Sequence, residues 1–203
     1  MVIVVASALL ARNRWPDQRE LSRKIVHIGT GAVIPMAWWF AIPAAIAIPF
    51  AGVVTLATAI NQRWHLIPAV EDVDRNSYGT TAYGLAITTL LVMYWPYQPE
   101  AVCAGVLVMA CGDGLAGLIG RAVTSPRWTV AGQTKSLAGT ATMLTVSFGV
   151  LLALTITDGS GVNGTGALLL AAVATGLEQV SPAGIDNLSV PLAVGFLWAT
   201  TIH

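Results

Sequence analysis

Apolar residues in this chain are gathered into long runs that polar interruptions cut at fairly regular intervals. Eight runs stand out, at about 1–11, 25–41, 43–61, 81–95, 101–120, 137–156, 165–180 and 189–203. Several fall short of the ~20 residues that a full bilayer crossing needs. The first is only eleven residues long and reads as a partial span or one that lacks upstream residues. The middle runs are rich in Gly and Pro, which fits broken or closely packed helices. No internal repeat, low-complexity segment or soluble domain interrupts the series. The pattern predicts an all-α, polytopic membrane bundle of about seven to eight transmembrane segments, forming one domain over residues 1–203.

Composition strengthens this reading. Charged residues make up 10% of the 203 and apolar residues 55%, with a mean hydropathy of +0.71; an ordinary soluble domain is about a quarter charged. Disorder, collagen, a coiled coil and a typical cytosolic enzyme are excluded. The net charge of zero provides no field for a polyanion, so nucleic acid is not an expected partner. Cys103 and Cys111 share one apolar run without a ligand pattern and read as buried fillers. The opening residues lack a basic leader and are followed by an Arg-rich stretch, which argues against a cleaved signal peptide. An Arg/Ser-rich transit segment is also missing, which favours a bacterial chain or a mature fragment.

The cations give the orientation. Arg12, Arg14, Arg19, Arg23 and Lys24 lie between runs one and two, Arg63 and Arg75 between three and four, and Arg121, Arg127 and Lys135 between five and six. The alternate connections hold no Lys or Arg. All ten basic residues therefore fall on one side of an eight-span chain, which the positive-inside rule makes cytoplasmic.

Polar residues inside or at the ends of apolar runs carry the candidate chemistry. Asp113 lies deep in run five between Gly112 and Gly114, where an ionisable group costs about 2.5–3.5 kcal/mol and is functional by default. Residues 112–117 also match Gly-x-Gly-x-x-Gly, but no strand, βαβ unit or later acidic partner supports a dinucleotide fingerprint. Lys24 and His27 share a helix face beside Arg23, whereas Arg12, Arg14 and Arg19 read as membrane anchors. The stretch 132–140 contains Lys135, Ser136 and Gly139 before run six. It suits phosphate at a helix N-terminus, or equally a capped helix with a snorkelling lysine. Glu178 is out of place near the inner end of run seven. Asp186 and Asn187 precede run eight, where capping accounts for Asn187 and Pro191 fits an early helical position. Arg75, Gly79 and Thr80 lead into run four, where a threonine cap would explain most of the pattern.

All these clusters fall on the predicted cytoplasmic face. Three carboxylates, several cations and a histidine at one membrane surface suit a nucleoside triphosphate, its divalent metal and a lipid acceptor.

At this point the chain resembles the polyprenol, phytol and dolichol kinase family of CTP-using membrane enzymes, and within it the cyanobacterial, phytol-using type. The matching stretches are Arg23-Lys24-x-x-His27-x-Gly29, Arg75 to Tyr83, Gly112-Asp113-Gly114, Lys135-Ser136-x-x-Gly139-Thr140, and Glu178 with Asp186-Asn187. Their order holds from about residue 20 to the end, with 1–22 poorly matched. The wording of residues 23–39 and 174–192 carries the likeness to the phytol-using type. The resemblance implies transfer of the γ-phosphate of CTP to phytol or a similar isoprenoid alcohol, giving phytyl monophosphate and CDP for salvage toward tocopherol. One departure is Ala138, where many relatives carry Glu; a mechanism that makes that glutamate essential is not expected here.

In phosphoryl transfer the protein mainly positions the reactants and stabilises negative charge. Within the resemblance, Asp113 with Glu178 or Asp186 would hold Mg²⁺. Lys135, with Arg23 or Lys24, would neutralise phosphate oxygens, and Arg121 and the 127–136 loop would hold the nucleotide. Asp186 or His27 would accept the alcohol's proton. Trp38 and Trp39 are candidate contacts of the lipid chain and equally an interfacial belt. The expected setting is a plasma or thylakoid membrane, with assembly into homo-oligomers left open. Two other readings use the same residue types: a lipid-phosphate cytidylyltransferase, and a transporter whose intramembrane acids carry ions.

Overall fold

The computed structural model describes residues 2–14, 19–64, 78–158, 163–182 and 184–201. The apolar runs are helices: α1 Val2–Arg14, α2 Arg19–Gly31, α3 Val33–Trp39, α4 Ala44–Trp64, α5 Gly79–Tyr94, α6 Pro99–Leu107, α7 Gly114–Ala122, α8 Leu137–Asp158, α9 Gly164–Val180 and α10 Asp186–Thr201. Three stretches are long and apolar enough to cross a membrane: Ala44–Trp64, Pro99–Ala122 and Leu137–Thr157. Shorter apolar helices, including α5 and α9, accompany them.

Helix boundaries depart from the apolar runs where amphipathic turns extend them. Run two begins six residues inside α2 and divides at Gly31–Ala32 into α2 and α3. Run eight likewise starts inside α10, so Pro191 is an internal helix residue rather than a first-turn one. There it removes the amide that would bond the Asn187 carbonyl. The all-α expectation also needs correcting, because residues 127–136 form an antiparallel hairpin of β1 Arg127–Val130 and β2 Gln133–Ser136. Its turn places Ala131 and Gly132 at φ +48° and +77°. This two-residue left-handed geometry closes tight hairpins.

The centre of the bundle is the rod α6–α7, with a π-helical turn at Val108–Asp113 between its halves. Val102, Val106 and Met109 of this rod are fully buried against α5, α8 and α10. Leu90, Met143 and Trp198 fill the facing surfaces. Close approach needs glycine where backbones meet: a Cβ on Gly105 would collide with the Pro191 carbonyl oxygen. Large apolar side chains cover the outside instead, among them Val53, Leu56, Val92 and Phe196. Such a surface is the expected one when the solvent is lipid. α4 packs chiefly on α5, while α3 packs on α2 and α6, so α3 and α4 diverge from their shared turn.

Candidate active site

The polar clusters converge at one end of the bundle because α8, α9, α10 and α2 all meet the π-helical turn, with the hairpin packed on α8. A π turn adds a residue to the helical cycle and re-aims the side chains that follow it. Asp113 is the last residue of this turn. Its Oδ2 accepts a hydrogen bond from Lys24 Nζ at 2.5 Å, and its carbonyl oxygen accepts a second from the same ammonium at 3.1 Å. Gly117, one turn further on, leaves room for the lysine stem, since a Cβ there would lie 2.8 Å from Lys24 Cε. His27 Nε2 stands 3.6 Å from Asp113 Oδ2 and donates to the Met109 carbonyl at 3.2 Å. That bond leaves Nδ1 as the ring's acceptor. The ring also packs on Tyr83, with centroids 4.4 Å apart.

A second ion pair lies alongside. Lys135 Nζ donates to the carboxylate of Glu178 and, at 2.7 Å, to its main-chain carbonyl. Both side chains are buried, so this lysine does not snorkel. Gln179 Nε2 bridges Glu178 Oε2 at 2.8 Å and Thr140 Oγ1 at 2.9 Å.

Asp186 completes the group. Carboxylate oxygens of Asp113, Glu178 and Asp186 all lie within 4.8 Å of one another. Asn187 does not act as a simple cap: its main-chain N–H and its Nδ2 both donate to Asp186 Oδ1, at 3.0 and 3.1 Å. It thereby fixes the carboxylate. Asp186 is buried, and the Lys135 charge only partly offsets the carboxylates around it. It stands ahead of the apolar part of α10. Burial, and next the Asp113 carboxylate, push its pKa up to about 6. Three carboxylates against two ammonium groups, converging through hard oxygen donors, fit a divalent cation of the magnesium type.

These groups open into a single cavity of about 1280 Å³. Arg23, Arg121, Ser136, Gly139, Gly79 and Thr80 line it together with the lysines, His27 and the carboxylates. Gly112 and Gly114 do not line it: a Cβ on either would strike Met143 or Ile28, so they serve helix contact. Arg75 lies outside the described residues. The expected threonine cap is replaced by another contact, with Thr81 Oγ1 donating to Gln62 at 2.6 Å and Thr80 turned to the cavity.

The start of α8 also differs from a free phosphate cradle. Leu137 N–H bonds the Pro126 carbonyl, Ala138 N–H bonds Ser125 Oγ and Gly139 N–H bonds Ser136 Oγ. Those donors are engaged inside the protein, leaving side-chain cations to face an anion. Sequence reading passed over the Gln179–Thr140 bond, the contact of Gly117 with Lys24 and the His27–Tyr83 stack, because the two members of each pair are distant in the chain. Away from the polar end the cavity is apolar, walled by α3, α4 and α5 through side chains such as Ile34, Phe40, Phe50, Ile87 and Leu91.

Comparison with known proteins places this architecture. No family model and no solved structure matches the chain. A phytol kinase from Synechocystis is 40% identical over 205 residues, covering 97% of this chain and 86% of that protein. A soybean (Glycine max) protein named "Probable phytol kinase 1, chloroplastic" is 28% identical, over 92% of this chain and 68% of its own length. With that identity extending over nearly the whole chain, the protein belongs to the phytol kinase family.

Proposed function

We propose that this protein is a multi-pass membrane kinase that transfers the γ-phosphate of a nucleoside triphosphate, CTP, to the hydroxyl of phytol. One observation carries the reading: a site of three carboxylates and two lysines opens into the same cavity as an apolar arm between α3, α4 and α5. A charged donor and an isoprenoid acceptor can meet there. The names of the Synechocystis and soybean relatives support phytol as the alcohol.

Asp113, Glu178 and Asp186 would hold Mg²⁺, which when bound neutralises phosphate charge and fixes the geometry of the transferred group. The chain's own residues do the rest. Lys24 and Lys135 balance the carboxylates and are the nearest ammonium groups for phosphate oxygens, with Arg23 and Arg121 along the same wall. Positioning the hydroxyl at the head of the apolar arm supplies orientation. As the new P–O bond forms and the bond from the γ-phosphorus to the bridging oxygen breaks, releasing CDP, the proton passes to Asp186 or to His27 Nδ1. The gap between α3 and α4 opens the arm sideways, which admits the alcohol from the bilayer. The ten cations and the site would face the cytoplasm in a bundle of seven to eight spans.

The test uses purified protein in detergent with phytol, Mg²⁺ and CTP labelled at either the α or the γ phosphorus. Label is expected in the lipid from γ-labelled CTP alone and should be lost in Asp113→Ala. Label from the α position into a lipid phosphate would make the protein a cytidylyltransferase, and no label from either would overturn the nucleotide reading. His27→Gln and Asp186→Asn, compared at saturating Mg²⁺, separate the two proton acceptors.

A further inference from the structure

Resting on the reading of an isoprenoid-alcohol kinase, we propose that one face of α4 gauges the length of the alcohol, with Ala47 and Ala51 as the residues that set it. Positions of α4 that reach the cavity include Ala47, Phe50, Ala51, Val54, Thr55 and Thr58. Their three- and four-residue spacing is a single helical stripe.

Polar rungs between the antiparallel helices α4 and α5 give this stripe a depth scale. Thr81 bonds Gln62 near the polar end, Thr55 and Thr88 meet at 3.0 Å midway, and the Trp95 indole N–H donates to the Ile42 carbonyl at 2.9 Å at the far end. Tyr83, stacked on His27, marks the level of the chemistry. Twelve positions, along α5 to the residue that follows it, separate Tyr83 from Trp95, a depth of about 18 Å at 1.5 Å per residue. An extended chain of four isoprene units is of that order.

The far end is closed by the turn between α3 and α4. Ala41, at φ +49°, folds the backbone back. The amides of Ala41 and Ile42 then bond the carbonyls of Trp38 and Ala37, both at 2.9 Å. Trp95 is buried and pins this floor. Above it, Ala47 and Ala51 are the small side chains of the stripe and leave the width that a methyl-branched chain needs. They sit four residues apart, about 6 Å along the helix axis, close to the extent of one extended isoprene unit. From the Thr55–Thr88 rung, about 7.5 Å below Tyr83, Ala51 lies about 13.5 Å deep and Ala47 at the floor, so filling Ala47 should crowd only the last unit and filling Ala51 should leave room for about three.

The experiment measures kcat/KM with geraniol, farnesol, geranylgeraniol and phytol for the wild type, Ala47→Phe, Ala51→Phe and Val53→Phe. Val53 is 66% exposed on the lipid side of the same helix and controls for added bulk. The wild type should prefer the four-unit alcohols. Ala47→Phe should lower the ratio of geranylgeraniol to farnesol severalfold, and Ala51→Phe should lower it at least tenfold and make farnesol the best substrate. Val53→Phe should keep the wild-type ratio. Where a phenylalanine variant melts below the assay temperature, Ala47→Leu and Ala51→Leu should show the same order in smaller steps. Wild-type ratios in both alanine variants would mean that the chain leaves between α3 and α4, and would overturn the gauge. A parallel loss on every length in folded protein would do the same. Failure of the wild type on all four alcohols would overturn the kinase reading instead.

Discussion

Asp113, Glu178 and Asp186 place three negative charges against the ammonium groups of Lys24 and Lys135, and the imbalance falls on Asp186. Its pKa is raised in the fold from 3.8 to about 6. The native state therefore binds this proton more tightly than the unfolded chain does. Stability is lost as pH rises through that interval, and the penalty, on the order of 3 kcal/mol, is present in full above it. In EDTA at pH 8, Asp186→Asn should melt several degrees above the wild type, and the difference should vanish near pH 4. Millimolar Mg²⁺ should raise the wild-type melting temperature and leave that of Asp186→Asn nearly unmoved. Equal melting temperatures at pH 8 would contradict the crowding of the three carboxylates. Lys135 and Glu178 allow a separate test, because removing one member of a buried pair strands the other charge at a cost of roughly 3–5 kcal/mol. Lys135→Met should be much less stable than Lys135→Met/Glu178→Leu, with both inactive. A double variant no more stable than the single one would show that the pair is not coupled.

Glycines of the central rod do different work in its two halves, and substitution separates them. Gly105, in α6, faces the backbone carbonyl of Pro191 on α10. A methyl group there must push two helices apart, because backbone cannot rotate out of the way. Gly117, in α7, faces the stem of Lys24, a flexible side chain. Gly105→Ala should cost about 1–3 kcal/mol, read as a lowered melting temperature. Gly117→Ala should melt close to the wild type but lose at least tenfold in kcat, because the lysine is displaced from Asp113. The opposite pattern would mean that the rod is not divided in this way. Helix existence was legible from the apolar runs. The π turn and the hairpin were not, since a run of small apolar residues has no feature that marks an i→i+5 turn, and the stretch 127–136 has polar residues suited to several local structures.

At the scale of the whole molecule, orientation is the open quantity that charge predicts. The 24 residues of Pro99–Ala122, about 36 Å of helix, separate the turn at Tyr97 from the hairpin. Tyr97 and Thr129 are both exposed. In a background with Cys103 and Cys111 replaced by alanine, Thr129→Cys in intact cells should react with an impermeant maleimide only after the membrane is opened. Tyr97→Cys should react before. Labelling of Thr129→Cys from outside would reverse the proposed sidedness and place the site on the wrong face for a cytoplasmic nucleotide.

Composition and patterning alone determined that the chain is mostly helical, with stretches apolar enough to cross a membrane, and which residues are too polar for their surroundings. These properties are local or additive: an apolar run must be satisfied by its own backbone hydrogen bonds in lipid, and a cation resists translocation wherever it lies in a loop. Tertiary structure decided the partners. Asp113 pairs with a lysine 89 positions away, Lys135 pairs with a glutamate 43 positions away, and Asn187 steadies Asp186 instead of capping a helix. It also decided that the charged site and the apolar arm are one cavity, because the divergence of α3 from α4 depends on which neighbours each helix packs against, and no stretch of either sequence encodes that by itself.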